Sequence, residues 1–331
     1  MLFQTVSEIS KIFSKPEERP YGNGSRTLAE ICGYSSDDKL LIVNADDYGL
    51  CSSTNRAVIE LIDAGIVSSV SMFASADGTD EGLEVLRQRG FSTGVHLALT
   101  SEWENHILAP VLPAEKVPSL LNSSGQFYSE IEQLYLSAHN DEIEGECRAQ
   151  IESLRESGLK IDHLDTHMGA MQLRPDFIDI YLNLAAEYDL PVRMGSENLA
   201  GLMGLPAEQL RKARLDGLTF PDNLVYIPMS FTSEKEVRFQ AYEYALRNMP
   251  AGITEIYFHP SHNGNDFRAL QHEYSKRKDI SYEAIRLWDY EFLSEGRLSR
   301  ILKDEDIIII SYNQLWNAYK ALLEVRDYID N

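Results

Sequence analysis

Two adjacent carboxylates, Asp46 and Asp47, follow an apolar run directly, in Asn44-Ala45-Asp46-Asp47-Tyr48-Gly49. Enzymes built on parallel sheets collect their reacting groups at the C-terminal ends of strands, so a carboxylate pair there suits catalysis as well as the capping of a turn. Further on, Thr93-Gly94-Val95-His96-Leu97-Ala98-Leu99 embeds one histidine in an aliphatic run. In Ile161-Asp162-His163-Leu164-Asp165-Thr166-His167, strand alternation places His163, Asp165 and His167 on one face. Three ionisable groups cannot share an apolar face cheaply unless they are paired or bind metal. Ile256-Tyr257-Phe258-His259-Pro260-Ser261-His262 again passes from apolar residues straight to histidine. A carboxylate with two imidazoles would make an open site for a divalent ion, and a second carboxylate beside it could act as a base.

The elements that must position these groups alternate short β-branched runs with longer amphipathic stretches, as βα units around a parallel sheet do. Strands are expected at 40–45, 68–74, 93–99, 161–166, 190–194, 224–229, 255–258 and 306–311. Helices are expected around Ala57–Ile62, over 128–157, and at 175–188, 206–215, 234–248, 282–293 and 312–325. Seven or eight such units in one domain, residues 39–331, predict an irregular (β/α) barrel, with a doubly wound open sheet as the alternative. Residues 1–38, with Pro16, Pro20, Gly22 and Gly24, read as an N-terminal extension packed on that domain, with a short helix at 28–31. The long segments 100–127 and 259–280 have the length of binding loops or lids. The Lys276-Arg277-Lys278 run reads as a solvated face.

With 52 acidic against 30 basic residues the formal charge is −22, which repels phosphate backbones and anionic lipid surfaces. Nucleic acid and membrane are therefore not expected as partners, while a small neutral carbohydrate is free to enter a cleft. A homo-oligomer is compatible with the composition. Cys32, Cys51 and Cys147 show no CxxC spacing and read as reduced thiols. There is no signal-peptide pattern at the N-terminus and no run of roughly 18 apolar residues, so the default expectation is a cytoplasmic protein.

The segments LLIVNADDYG, GVHLALTSEW, HLDTHMG and EIYFHP, in that order, resemble the YdjC-like carbohydrate deacetylases, a family that includes chitooligosaccharide deacetylase. The resemblance extends over roughly residues 27–318 and implies a metal-dependent hydrolase that removes acetyl from an N-acetylated sugar on an irregular (β/α) barrel. Carried over, it implies Asp46 as general base and Asp47, His96 and His167 as ligands of one divalent ion, zinc or magnesium. His259 matches the late His-Pro motif and is the natural acid for a departing amine, which leaves poorly unless protonated. Asp165 is expected to orient a ligating histidine, His163 to be structural, and Trp103 to stack on a sugar face. Many members carry a further histidine where this chain has Gly169, which loosens the substrate expectation beyond a chitin fragment.

Competing readings are a sugar isomerase or phosphoesterase on the same barrel, or a non-catalytic sugar-binding protein. No Gly-rich phosphate loop follows any expected strand. A binding module needs no base next to a ligand carboxylate. Isomerisation is left open by the residues alone.

Overall fold

The computed structural model of the chain describes residues 26–103, 108–202, 207–225, 227–271 and 281–330. The residues before 26, and with them most of the expected N-terminal extension, lie outside that set, as does the Lys276-Arg277-Lys278 run.

Among the described residues seven strands make one parallel sheet: β1 (Lys39–Tyr48), β2 (Ser69–Met72), β3 (Thr93–Leu97), β4 (Ile161–Thr166), β5 (Asn223–Val225), β6 (Gly252–Phe258) and β7 (Ile307–Ile310). Their order is β4-β3-β2-β1-β6-β5, and β7 also pairs with β1. β1 lies at the centre and is buried from Leu40 onward. One of its edges is taken by β6 over Lys39–Ala45. β7 pairs with its first half, Lys39–Ile42, and β2 with its second half, Asn44–Tyr48. Helices such as Ser52–Asp63, Asn140–Glu156, Pro175–Glu187, Lys235–Arg247 and Tyr282–Ser294 fill the connections.

The expected closed barrel does not form; the sheet is an open parallel half-barrel with β4 and β5 as its edges. The reason lies in the stretch expected as a strand at 190–194, which makes a single bridge, Leu164 to Val192. Pro191 has no N–H to donate to a ladder. What remains is an exchange in which Leu164 N–H donates to the Pro191 carbonyl and Arg193 N–H to the Leu164 carbonyl, while Val192 N–H turns to Thr219. The segment follows the sheet edge without extending the sheet.

The single helix expected over 128–157 is two, Ile131–Ser137 and Asn140–Glu156, separated by extended backbone at Ala138 and His139. The helix after β1 begins after Cys51, and its first turn is satisfied from outside: the Asp266 carboxylate accepts hydrogen bonds from the Ser53 N–H (2.7 Å) and hydroxyl (2.5 Å). Thr79–Arg89 and Arg297–Asp304 are helices without a sequence-based expectation. At the N-terminal end of the sheet the short helix Leu28–Ile31 does form, held by a capping box between Thr27 and Glu30. Its Leu28 and Ala29 pack with Leu40, Ile42, Ile253 and Ile310 in a small second core. No helix among the described residues is long and apolar enough to cross a membrane.

Candidate active site

β1 delivers both of its carboxylates to one place by breaking strand alternation. Consecutive side chains of a regular strand point to opposite faces. Between Ala45 and Tyr48 the pairing of β1 with β2 shifts register, and Asp47 adopts the left-handed φ of 61°. The extra residue of this bulge lets Asp46 and Asp47, neighbours in the chain, line the same cavity. A buried non-glycine residue held at positive φ is strained backbone, which persists where surrounding contacts fix it.

Those contacts are ionic. Oδ1 of Asp47 lies 3.1 Å from Nε2 of His96, from β3, and 3.3 Å from Nδ1 of His167, which follows β4. Its Oδ2 accepts a hydrogen bond from Arg286 at 2.5 Å. Each histidine is held from behind by a second carboxylate: Asp165 Oδ1 lies 2.8 Å from His96 Nδ1, and Glu102 Oε2 lies 2.8 Å from His167 Nε2. Each ring therefore turns its other nitrogen toward Asp47 Oδ1.

Asp47 Oδ1 and His96 Nε2 are fully buried and, although 3.1 Å apart, are not aligned for a hydrogen bond. Orphaned buried atoms of this kind call for an explanation, and a cation held between them supplies one: Asp47, His96 and His167 each offer a donor atom within a common 4.8 Å. The electrostatics agree. Burial disfavours charge on both imidazoles, yet the carboxylates around them outweigh it, raising His96 to about 10 and His167 to about 9. Burial likewise opposes charge on Asp47, but Arg286 and the two histidines hold it well below the usual carboxylate range. A potential that retains protons on these rings would retain a divalent ion in their place. Two imidazoles and one carboxylate suit such an ion.

A second trio, Asp46, His96 and Asp165, also converges, but it already has its cation. Arg193 gives Asp46 a two-pronged clamp, Nη1 to Oδ2 at 2.6 Å and Nη2 to Oδ1 at 2.7 Å. The same guanidinium reaches Asp165 Oδ2 at 3.0 Å and Glu255 Oε1 at 2.8 Å. Asn44 donates to Asp46 Oδ1 at 2.8 Å.

His259, at the end of β6, has Nε2 3.9 Å from Asp46 Oδ2 and Nδ1 3.9 Å from Asp289 Oδ2. Burial pushes its pKa below the ordinary histidine value. Asp289 also accepts the His259 backbone N–H at 2.9 Å and the Tyr242 hydroxyl at 2.7 Å.

The structure thus brings Asp46, Asp47, His96, His167, Asp165 and His259 together. His163 stands apart: it is wholly buried, bonded through Nδ1 to Asp162 at 2.7 Å and stacked on Tyr312 at 3.9 Å. Its ring occupies the space above Gly94, where a Cβ would come within 2.3 Å of Nε2. Trp103, expected to face a sugar, is 4% exposed and stacks instead on His167, at 5.2 Å and 21°. It buttresses a donor ring. Arg193, Arg286, Glu102, Glu255 and Asp289 were not singled out in the sequence. A charged residue inside an apolar run was a usable signal for Arg193 and Glu255, and Glu102 lies within the GVHLALTSEW motif; no local pattern marked Arg286 or Asp289.

The cavity beside these groups has a volume of about 270 Å³. Its walls include Thr166, Gly169, Gln172, Leu224, Tyr257 and Tyr282 besides the ionic residues.

A carbohydrate deacetylase of Thermoanaerobacter pseudethanolicus is 29% identical over 280 residues, covering 84% of this chain and 99% of the relative. A carbohydrate deacetylase of Thermus thermophilus is 32% identical over 235 residues, covering 70% of this chain and 81% of the relative. A crystal structure from Enterococcus faecalis V583, provisionally described as a cellobiose-phosphate cleavage protein, superposes with a TM-score of 0.69 at 25% identity, covering 84% of this chain and 99% of that one. The family model for YdjC-like proteins matches residues 40–304, from the first residues of β1 to the last helix before β7, and this chain belongs to that family.

Proposed function

We propose that the protein is a divalent-metal-dependent carbohydrate deacetylase that hydrolyses the acetamide of an N-acetylated sugar or oligosaccharide. The observation that carries this reading is the convergence of Asp47, His96 and His167 on one point, with Asp46 next in the chain and His259 Nε2 3.9 Å from Asp46. An ion held by the three donors would polarise the acetyl carbonyl and acidify water. Two imidazoles favour zinc or another transition metal over magnesium.

In this reading Asp46 takes one proton as water oxygen bonds to the acetyl carbon. The Arg193 clamp fixes the carboxylate's orientation, so its geometry is set before substrate arrives. The carbon–nitrogen bond then breaks, and the amine nitrogen must gain a proton to leave. His259 is placed to deliver it. Burial keeps that ring neutral at rest, so the proton reaches it during turnover, and the nearest group carrying one is Asp46. Acetic acid and the free amine result: the proton taken from water ends on the amine, and the other stays on the acid until it ionises to acetate in solvent.

The test is an acetate-release screen over N-acetylated mono- and oligosaccharides, run on metal-stripped protein with zinc, magnesium, manganese and cobalt added back singly. Release that appears only with an added ion is the expected result. Release that is equal in stripped and reloaded protein would remove the metal, and none from any acetylated sugar would remove the deacetylase reading.

A further inference from the structure

The cavity has one ionic wall, described above, and one apolar wall that includes Leu199, Leu210, Leu224, Ile227 and Met229. Leu199 and Leu224 form a small hydrophobic cluster separate from the main core, with Tyr257 packed against it. Tyr257 joins the two walls. The Arg193 guanidinium lies 4.4 Å from its ring centre, and its ring meets that of His259 edge to face at 5.7 Å. The apolar wall therefore begins beside the group that faces the departing amine, not on the far side of the metal donors.

Leucine side chains that face a cavity lack dispersion partners on that side, and hydrocarbon would supply them. Sugar hydroxyls laid on Leu199 and Leu224 would give up water without gaining hydrogen bonds from those side chains. Gly169 lines the cavity too and contributes no side chain to which a hydroxyl could bond. In a 2-acetamido sugar the substituent at C1 is next to the carbon that bears nitrogen. With the amine at His259, whose ring lies 5.7 Å from that of Tyr257, a hydrocarbon carried on C1 would be within reach of the wall that begins there.

Resting on the deacetylase reading above, we propose that the substrate is a 2-acetamido sugar with an apolar aglycone, whose hydrocarbon lies on the wall formed by Leu199, Leu224 and Tyr257. A second sugar at C1, as in an oligosaccharide, is the poorer occupant of that wall.

The test is calorimetric binding of n-alkyl β-glycosides of N-acetylglucosamine, methyl through octyl and below their micellar concentrations, to the metal-loaded protein. Affinity should rise about fourfold for each methylene buried until the wall is covered, and the hexyl glycoside should bind more tightly than N,N′-diacetylchitobiose. Leu199→Ser should flatten the dependence on chain length. Equal affinity from methyl to octyl, or tighter binding of the disaccharide, would overturn the proposal. Acetate release from the same compounds separates the two readings. Release with no dependence of affinity on chain length sinks the aglycone alone, whereas a steep dependence with no release sinks the deacetylase.

Discussion

Arg286 and Asp289 stand about one turn apart on the helix Tyr282–Ser294 and hold opposite members of the site. Arg286 donates to Asp47 Oδ2 at 2.5 Å, while Asp289 accepts the backbone N–H of His259 at 2.9 Å. One helix face thus fixes a proposed metal donor from β1 and the proposed acid after β6. With its other oxygen occupied by Arg286, Asp47 has Oδ1 alone to offer an ion.

Removing that guanidinium leaves the Asp47 carboxylate buried without its cation. Arg286→Met should cost about 3–5 kcal/mol of stability in metal-stripped protein, and markedly less once metal is bound, because the ion supplies the missing charge. Chemical denaturation of the variant with and without metal decides this. An equal loss in both forms would mean that no cation sits beside Asp47.

Asp47→Ala, His96→Ala and His167→Ala should each lose bound metal and activity together while the sheet stays folded. Elemental analysis with far-ultraviolet circular dichroism checks both halves. Full metal content in all three variants would withdraw the donor assignment. Glu102→Gln, which keeps size but weakens the hold on His167, should reduce metal affinity by about 10- to 100-fold without abolishing binding.

Asp46→Asn should retain metal and lose turnover by about 10²- to 10⁴-fold, since an amide cannot accept the proton of water. Near-normal kcat in that variant would assign the base elsewhere.

His259→Ala separates two roles through the leaving group. If the imidazole protonates the departing amine, the variant should fail on a sugar N-acetyl substrate and largely spare an activated aryl acetate, whose phenolate leaves unaided. If the ring only orients Asp46, the losses in kcat/KM should match.

The pH dependence of stability has a definite sign at this residue. Burial lowers the folded-state pKa of His259, so as pH falls below its unfolded value of about 6.5 the unfolded chain takes up a proton that the native chain resists. Its contribution is therefore unfavourable on the acid side and absent above that value. His259→Gln should lessen the acid loss of stability below about pH 6.5 and leave the neutral and alkaline range unchanged relative to wild type. A greater acid loss in the variant than in wild type would show that the buried ring carries its proton at rest.

The proposed site residues were legible from their settings: Asp46 and Asp47 end an apolar run, His96 lies within another, His259 closes a third, and His167 ends the alternating stretch Ile161–Thr166. Alternation alone put Asp165 and His167 on one face. The sheet's open edge was less legible, because Leu190-Pro191-Val192 has strand composition, yet its pairing with β4 stops at the one bridge between Leu164 and Val192. The clamps were hidden for a different reason. Arg286 and Asp289 lie in an amphipathic helix, where local sequence does not separate a buried charge from the half-buried Glu283 nearby, and only the tertiary fold supplies their partners. The break at Ala138 and His139 falls in a polar stretch whose apolar period continues across it, so spacing alone predicts one helix.

The bulge in β1 makes that strand intolerant of any change in length. A deletion anywhere from Leu40 to Asp46 would either pull Asp47 out of its left-handed turn or shift the upper half of the strand by one place against β2, sending one carboxylate into the packed layer behind the sheet. Anyone transplanting this chemistry to another parallel sheet must therefore carry over the kink with its count of residues, because the two aspartates set into a regular strand would face away from each other.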